Sequence, residues 1–200
     1  MVSNRRRAAP DSEMHGRMID AAEAIIREEG HGALTARTLA DRLSLKRQIV
    51  HYYFESMDEL LVQVVRRNSD RALAALEEPA MQADPLRAIW QMSNNRELAL
   101  LALELAALAA RRPAVRAVVR EAAEAARAAQ TRILCGHLAS RGIEPAIDPE
   151  VATIVLASIS YTMVQEDAVG ITAGHDKLRA LVEAALDRFA RTGEAKLLTG

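Results

Sequence analysis

The 200-residue sequence is expected to form an all-α protein, and three observations lead to this prediction. Half of the residues are hydrophobic but only 3% are aromatic, and alanine and leucine, which are good helix formers, dominate. Apolar residues recur at helical spacing, whereas Val, Ile and Thr form no short alternating runs that would indicate strands. Glycine and proline punctuate the periodic segments where helices would begin and end.

The N-terminal third predicts three helices after a polar, basic segment. Residues 1–12 lack periodicity and are expected to form a flexible arm. An amphipathic helix is predicted over residues 13–29, and Gly30 would end it at the C′ position. Thr35 is placed to cap a short second helix, and a third short helix would run to about Tyr53.

The rest of the chain predicts further helices with clear start signals. Ser56 and Glu59 form a capping box that would start a long helix, closed by Pro79. The pairs Asp84–Pro85 and Asp148–Pro149 each combine an N-cap with proline at the first helical position. Further helix starts are predicted at Asn94–Glu97, Pro113 and His175, the last of them running to about Thr192.

Composition and charge exclude several classes of protein. A single cysteine, Cys135, cannot form an intramolecular disulfide and favours a reducing compartment, so a cytoplasmic location is expected. No apolar segment reaches the roughly 20 residues that a membrane span needs, so no membrane partner is expected. The histidines have no metal-ligand spacing, and Glu166–Asp167 point about 100° apart on a helix, so neither a metal, a cofactor nor an enzyme is predicted.

Residues 35–54 predict a helix-turn-helix. Two short helices separated by a tight break allow the second to lie in the major groove of DNA. Within this segment the net charge is +3, although the whole chain carries −1, which suits phosphate contact. The side chains expected to hold the two helices together are Leu39, Ala40, Leu43, Leu45, Val50 and Phe54.

Four side chains fall off the apolar stripe of the second short helix and are available to reach base edges. Arg and Gln can each pair bidentately, with guanine and adenine respectively. The four residues are Arg47, Gln48, His51 and Tyr52.

The segment resembles the TetR/AcrR family of bacterial regulators. The pattern is Thr35-x-x-x-Leu39-Ala40-x-x-Leu43-x-Leu45, then Val50-x-x-Tyr53-Phe54-x-Ser56-x-x-x-Leu60-Leu61. In that family three helices bind DNA, a fourth leads to a ligand-binding body, and the last two helices pair across a homodimer. The resemblance adds Arg37 as a base or phosphate contact, Lys46 as part of the recognition surface and Tyr53 as a phosphate contact.

Four positions depart from the family pattern. Ser44 replaces the usual turn glycine, and Lys46 stands where Ser or Thr commonly caps the recognition helix. His51 replaces a frequent tyrosine, and Met57 replaces a lysine that often touches phosphate. These departures bear on the exact contacts and on the operator sequence, not on the fold.

The sequence thus predicts a DNA-binding domain at residues 13–56 and a C-terminal helical bundle for ligand binding and dimerisation at 57–200. Glu104, inside an otherwise apolar helix, would either face solvent or anchor a ligand. The other expected ligand-lining residues, which could equally be plain core, are Trp90, Tyr161, Met163 and Gln165. The expected dimer interface comprises Leu156, Ile159, Leu181, Leu186 and Phe189.

The expected function is that of a ligand-responsive transcriptional regulator. It would bind a palindromic double-stranded DNA operator as a homodimer and be released by a small apolar effector. The resemblance to the family implies that it acts as a repressor. Three alternatives stay open at this point. One is a regulator that needs no ligand, and another is a helical scaffolding or interaction protein that never binds DNA. The third, an enzyme built in the bundle, is disfavoured because no catalytic constellation is found.

Overall fold

The computed structural model describes residues 13–192, which form helices and turns without a strand among them. The all-α fold class is therefore confirmed. The predicted basic arm, residues 1–12, lies outside the described part of the chain. The helices are α1 (Glu13–Glu29), α2 (Ala36–Arg42), α3 (Arg47–Tyr53), α4 (Met57–Ala75), α5 (Glu77–Met81), α6 (Pro85–Ser93), α7 (Arg96–Ala109), α8 (Pro113–Ser140), α9 (Pro149–Ala168) and α10 (His175–Thr192).

The residues predicted to end α1 and to begin α2 do so in the structure. Gly30, with φ of 82°, follows α1 and leads into a 3-10 turn at His31–Ala33. Thr35 caps α2 by accepting from the Thr38 backbone N–H at 3.1 Å. The Thr38 hydroxyl oxygen in turn accepts from the Thr35 N–H at 2.9 Å, so two otherwise unpaired donors are satisfied.

Two of the predicted boundaries differ in detail. α4 ends at Ala75, before the predicted end at Pro79. Pro79 instead lies in the first turn of α5, where backbone N–H groups have no acceptor within the helix, so a proline there costs no hydrogen bond. The start of α7 is capped by Asn95, whose side-chain oxygen accepts from the Leu98 N–H at 3.1 Å. Asn94 instead donates its side-chain amide to the Trp90 carbonyl at 2.7 Å, at the end of α6.

The chain divides into two compact units, and the first contains the predicted helix-turn-helix. Of the described residues it comprises 13–69 and Leu101–Ala122. One hydrophobic cluster joins its helices, because α1, α2, α3 and α4 bury their apolar stripes together with residues of α7 and α8. The contributions from these last two helices are Leu101, Leu105, Leu108, Ala109, Val115 and Val118.

The second unit comprises Asp70–Leu100 and residues 123–192. Its core is formed by α6, α8, α9 and α10, and Arg87 adds polar contacts at its edge. The Arg87 guanidinium donates to Asp84 at 3.1 Å and to Asp187 at 2.6 Å, and it also ion-pairs with Glu183. The core residues are Leu86, Trp90, Leu134, Leu138, Ala152, Leu156, Met163, Val182, Leu186 and Phe189.

The compact units do not coincide with the boundary that the sequence predicts between residues 56 and 57. The first half of α4 buries Leu60, Leu61 and Val64 in the same core as α1. Residues 101–122 join that core from a distant part of the sequence. The division into a DNA-binding and a regulatory part stays a prediction about function, whereas the packing groups residues 57–69 and 101–122 with the N-terminal helices.

Candidate nucleic-acid interface

A tight turn separates α2 from α3 and sets the angle between them. Ser44 adopts φ of 56°, the left-handed region that non-glycine residues seldom occupy. The Leu45 N–H donates to the Ala40 carbonyl at 2.8 Å, and the Ser44 N–H donates to the Asp41 carbonyl at 3.1 Å. The backbone therefore adopts the conformation of the usual turn glycine although a serine stands there.

α3 is anchored by Val50 and by Phe54, the residue that follows it, and its other side chains are largely open to solvent. Val50 and Phe54 are each 1% exposed and pack in the first unit's core. The exposed side chains of the helix are Arg47, Gln48, Ile49, His51 and Tyr52. A helix that is anchored in the core and has exposed polar side chains can place those side chains in a groove of DNA.

Aromatic contacts fix the C-terminal end of α3. His15 of α1 stacks on Phe54 with ring centroids 4.9 Å apart. Tyr52 and Tyr53 meet edge to face at 5.4 Å. Tyr53 is half-buried and packs against the core, whereas Tyr52 stays exposed. The Tyr53 side chain is therefore held in place by packing, whereas the Tyr52 side chain is open to solvent.

Not all of the local positive charge is available for phosphate. Arg42 donates to Glu28 at 2.8 Å and to Glu29 at 2.6 Å, and the hydrogen bond to the Glu28 carboxylate contributes most to raising the pKa of the Arg42 guanidinium. The Nε of Arg37 lies 3.8 Å from an Asp41 carboxylate oxygen, in a highly exposed pair that water screens. The exposed Lys46 begins α3 without a side-chain cap bond, as expected for a lysine at an N-cap.

Glu104 lies in the first unit, where it contacts the 3-10 turn. Its Oε2 accepts from the His31 backbone N–H at 2.9 Å and lies 2.5 Å from the Nδ1 of the His31 ring. Burial would raise the pKa of the Glu104 carboxyl, but these bonds outweigh it and hold the pKa below the ordinary value. Glu104 therefore neither sits free in solvent nor lies in the second unit's core.

The other residues predicted to line a ligand site separate into two groups. Trp90 and Met163 are buried together in the core of the second unit. Tyr161 and Gln165 are exposed on α9. Tyr161 is 43% exposed, and desolvation raises the pKa of its phenol.

The residues predicted to form the dimer interface are mostly core residues of the second unit. Leu156, Leu186 and Phe189 are 7%, 3% and 3% exposed, so in this conformation they support the surface rather than form it. Ile159 is half-buried against the same core, and Leu181 is 41% exposed. The large apolar side chains that α9 and α10 do expose are Val151, Ile154, Tyr161 and Leu181.

One ion pair at the start of α4 has no signal in the sequence. Arg112, in the turn between α7 and α8, pairs with Asp58 in the first turn of α4. The two residues are 54 positions apart, and both belong to the first unit. Neither periodicity nor capping patterns reports a contact over such a separation.

Two kinds of site are absent from the described chain. Within residues 13–192, no helix is both long enough and apolar enough to cross a membrane. In the same range, no three His, Cys, Asp or Glu side chains come together in a way that could hold a metal ion.

Comparison with known proteins points to one family. Residues 18–64 match the family described as bacterial regulatory proteins, tetR family. No curated protein matches the sequence. The chain is similar in fold to several solved structures, and each likeness covers most of both chains.

A protein from Saccharomonospora viridis, solved in complex with choline, superposes with a TM-score of 0.73 at 18% identity, covering 88% of this chain and 95% of that chain. A TetR transcription regulator from Haloarcula marismortui gives 0.69 at 20% identity, with 86% and 96% covered. The regulator FadR from Bacillus subtilis, in complex with stearoyl-CoA, gives 0.63 at 18% identity, with 90% and 98% covered.

Proposed function

Since this chain has the N-terminal domain and the fold of the tetR family of bacterial regulatory proteins, we propose that it is a dimeric transcriptional repressor. In the bacterial cytoplasm it would bind a palindromic operator and be released by a small apolar effector. The observation that carries the proposal is α3, which is anchored in the core by Val50 and by the following Phe54 and exposes Arg47 and Gln48.

The proposed DNA contacts divide by chemistry. Arg47 and Gln48 would read base edges, because their side chains can pair bidentately with guanine and adenine. Arg37, Lys46 and Tyr53 would contact phosphates, which position the protein but carry no sequence information. His51 and Tyr52 are also exposed on α3 and complete the proposed recognition surface.

Dimerisation would use the exposed apolar face of α9 and α10, defined as Val151, Ile154, Tyr161 and Leu181. On α9 these positions recur at intervals of three and seven residues, so they form one stripe along the helix. The helix-turn-helix of one protomer buries too little surface for tight binding. The two copies in a dimer bind half-sites whose centres are about 34–36 Å apart, or a multiple of that.

The effector would bind within the second unit, among side chains such as Trp90 and Met163. Solved structures of similar fold were determined with choline, a quaternary ammonium cation, and with stearoyl-CoA, whose long acyl chain supports an apolar effector. An effector would lower DNA affinity if it binds more tightly to a conformation in which the spacing between the two helix-turn-helix motifs of the dimer does not match the operator. Trp90 is the only tryptophan, so its fluorescence reports directly on binding there.

Footprinting on the DNA upstream of the protein's own coding sequence tests the proposal. We expect two protected half-sites whose centres are about 10 base pairs apart or a multiple of that. Arg47→Ala should require a higher protein concentration for the same protection, and Arg127→Ala, which changes an exposed arginine of the second unit, should leave that concentration unchanged. Protection of a single unpaired site, or none at any protein concentration, would contradict the proposal.

A further inference from the structure

A basic turn, defined as Arg111 and Arg112 between α7 and α8, is a surface that the helix-turn-helix does not account for. It belongs to the first unit, together with α1, α2 and α3. Arg116 donates from its guanidinium to the carbonyls of the two residues before the turn, at 3.0 and 2.8 Å. Arg112 pairs with Asp58 at the start of α4. These contacts hold the turn in a defined place beside that helix end.

The junction between α3 and α4 is acidic, which is unfavourable beside DNA. Glu55, Asp58 and Glu59 place three carboxylates within five residues, and Met57 supplies no charge. The Glu59 side chain accepts from the Glu55 N–H at 2.7 Å, so its carboxylate is committed to capping. Like charges repel, so this segment on its own would disfavour a phosphate nearby.

The junction nevertheless directly follows the proposed recognition helix. Asp58 follows Tyr53, the last residue of α3, by five positions, so their Cα atoms are at most about 17 Å apart. The major groove is about 12 Å wide. An element attached this closely to a helix in the groove is within reach of the sugar-phosphate backbone that borders it.

We propose that the basic turn binds a backbone phosphate of the operator DNA. Arg112 neutralises Asp58, and Arg111 donates to the phosphate. The Arg111 side chain is exposed and, within residues 13–192, no acidic group pairs with it. The turn thereby supplies the positive charge that the junction lacks at Met57. This inference rests on the proposed function, since it adds a contact to the same DNA.

The salt dependence of binding to the upstream DNA tests the contact by Arg111. Each phosphate contact contributes about 0.9 to the slope of log affinity against log salt. In a dimer with two such turns, Arg111→Ala should make the slope shallower by about two, with an unchanged melting temperature. Arg111→Lys should keep most of the slope because it keeps the charge. The matched control, Arg127→Ala, should leave the slope as in the wild type.

An unchanged slope in Arg111→Ala overturns the phosphate contact, whether or not the affinity itself falls. If the wild type prefers its upstream DNA but Arg111→Ala has the same salt slope as the wild type, the proposed function stands and this inference fails. If the wild type binds no DNA at low salt, both fail.

The role of Arg112 is tested by a double-mutant cycle with its partner. Arg112→Ala leaves Asp58 unneutralised and should weaken DNA binding several-fold. Adding Asp58→Asn removes the charge and should restore most of that loss, with an interaction between the two changes that shrinks as salt is added. A double variant as weak as Arg112→Ala alone would contradict neutralisation of Asp58 by Arg112.

Discussion

The His31 ring and the Glu104 carboxylate form a hydrogen-bonded pair between the 3-10 turn and α7, with Nδ1 and Oε2 2.5 Å apart. The same oxygen accepts from the His31 backbone N–H at 2.9 Å. Gly30, just before the histidine, comes so close that a Cβ there would lie 3.7 Å from Glu104 Oε2. A residue of α7 thus fixes the segment that leads from α1 into the helix-turn-helix.

Replacing Glu104 should destabilise the first unit. Glu104→Gln keeps the shape but loses the charge that strengthens both bonds, and the pair is partly exposed. We expect the free energy of unfolding to fall by about 1 kcal/mol, at the low end for charged hydrogen bonds. Chemical denaturation at neutral pH measures this, and Glu121→Gln, an exposed residue of α8, serves as the matched control.

The difference between wild type and Glu104→Gln should also depend on pH. Because the pKa of the folded carboxyl lies below its ordinary value of 4.5, its contribution is fully present above that value. It is then lost as the pH falls through the lowered pKa. Denaturation curves below pH 4.5 should therefore converge, and a difference that stays constant down to acid unfolding would argue against the pair.

The left-handed conformation of Ser44 predicts an unusual order of stabilities. A Cβ in this region is strained, by about 1–2 kcal/mol for an L-residue, and glycine is not. Ser44→Gly should therefore be more stable than Ser44→Ala by about 1 kcal/mol in urea denaturation. Equal stabilities would mean that the turn relaxes when the side chain is changed.

The exposed side chains of α3 predict which changes alter sequence preference. Arg47→Ala should cost about 1–3 kcal/mol on the preferred operator and relax discrimination at particular bases. Gln48→Ala should relax discrimination at other bases. Competition with a set of single-base operator variants measures both. Loss of affinity that is uniform across all variants would assign these side chains to phosphate rather than to bases.

The exposed face of α9 and α10 predicts the oligomeric state. Leu181→Glu places a charge in an apolar interface and should shift the protein toward monomer by at least tenfold in dissociation constant. Met81→Glu alters an apolar side chain that is 87% exposed outside this face and should leave the dimer intact. Sedimentation equilibrium distinguishes the two, and identical behaviour would exclude this face as the interface.

Local signals in the sequence predicted most of the helices. Gly30, Thr35, Asp84 and Asp148 act as caps or stops where they were expected, because capping depends on residues within a few positions of each other. The inward face of the helix-turn-helix follows from periodicity in the same way, and Val50 is buried as predicted.

Contacts between distant segments could not be predicted from the sequence. Nothing local links Glu104 to His31 or Arg112 to Asp58, so neither pair has a sequence signal. α9 presents a different difficulty, because it is apolar on nearly all sides. Periodicity there cannot separate the core side, with Leu156, from the exposed side, with Ile154.

Fluorescence anisotropy tests the central claim most directly. The purified protein is titrated against labelled DNA from upstream of its own coding sequence and against a scrambled duplex, over about 50–200 mM salt. We predict much tighter binding to the upstream DNA, with an affinity that falls steeply as salt rises. Equal affinity for both duplexes, or no binding to either at the lowest salt, would contradict the assignment of this chain as a DNA-binding regulator.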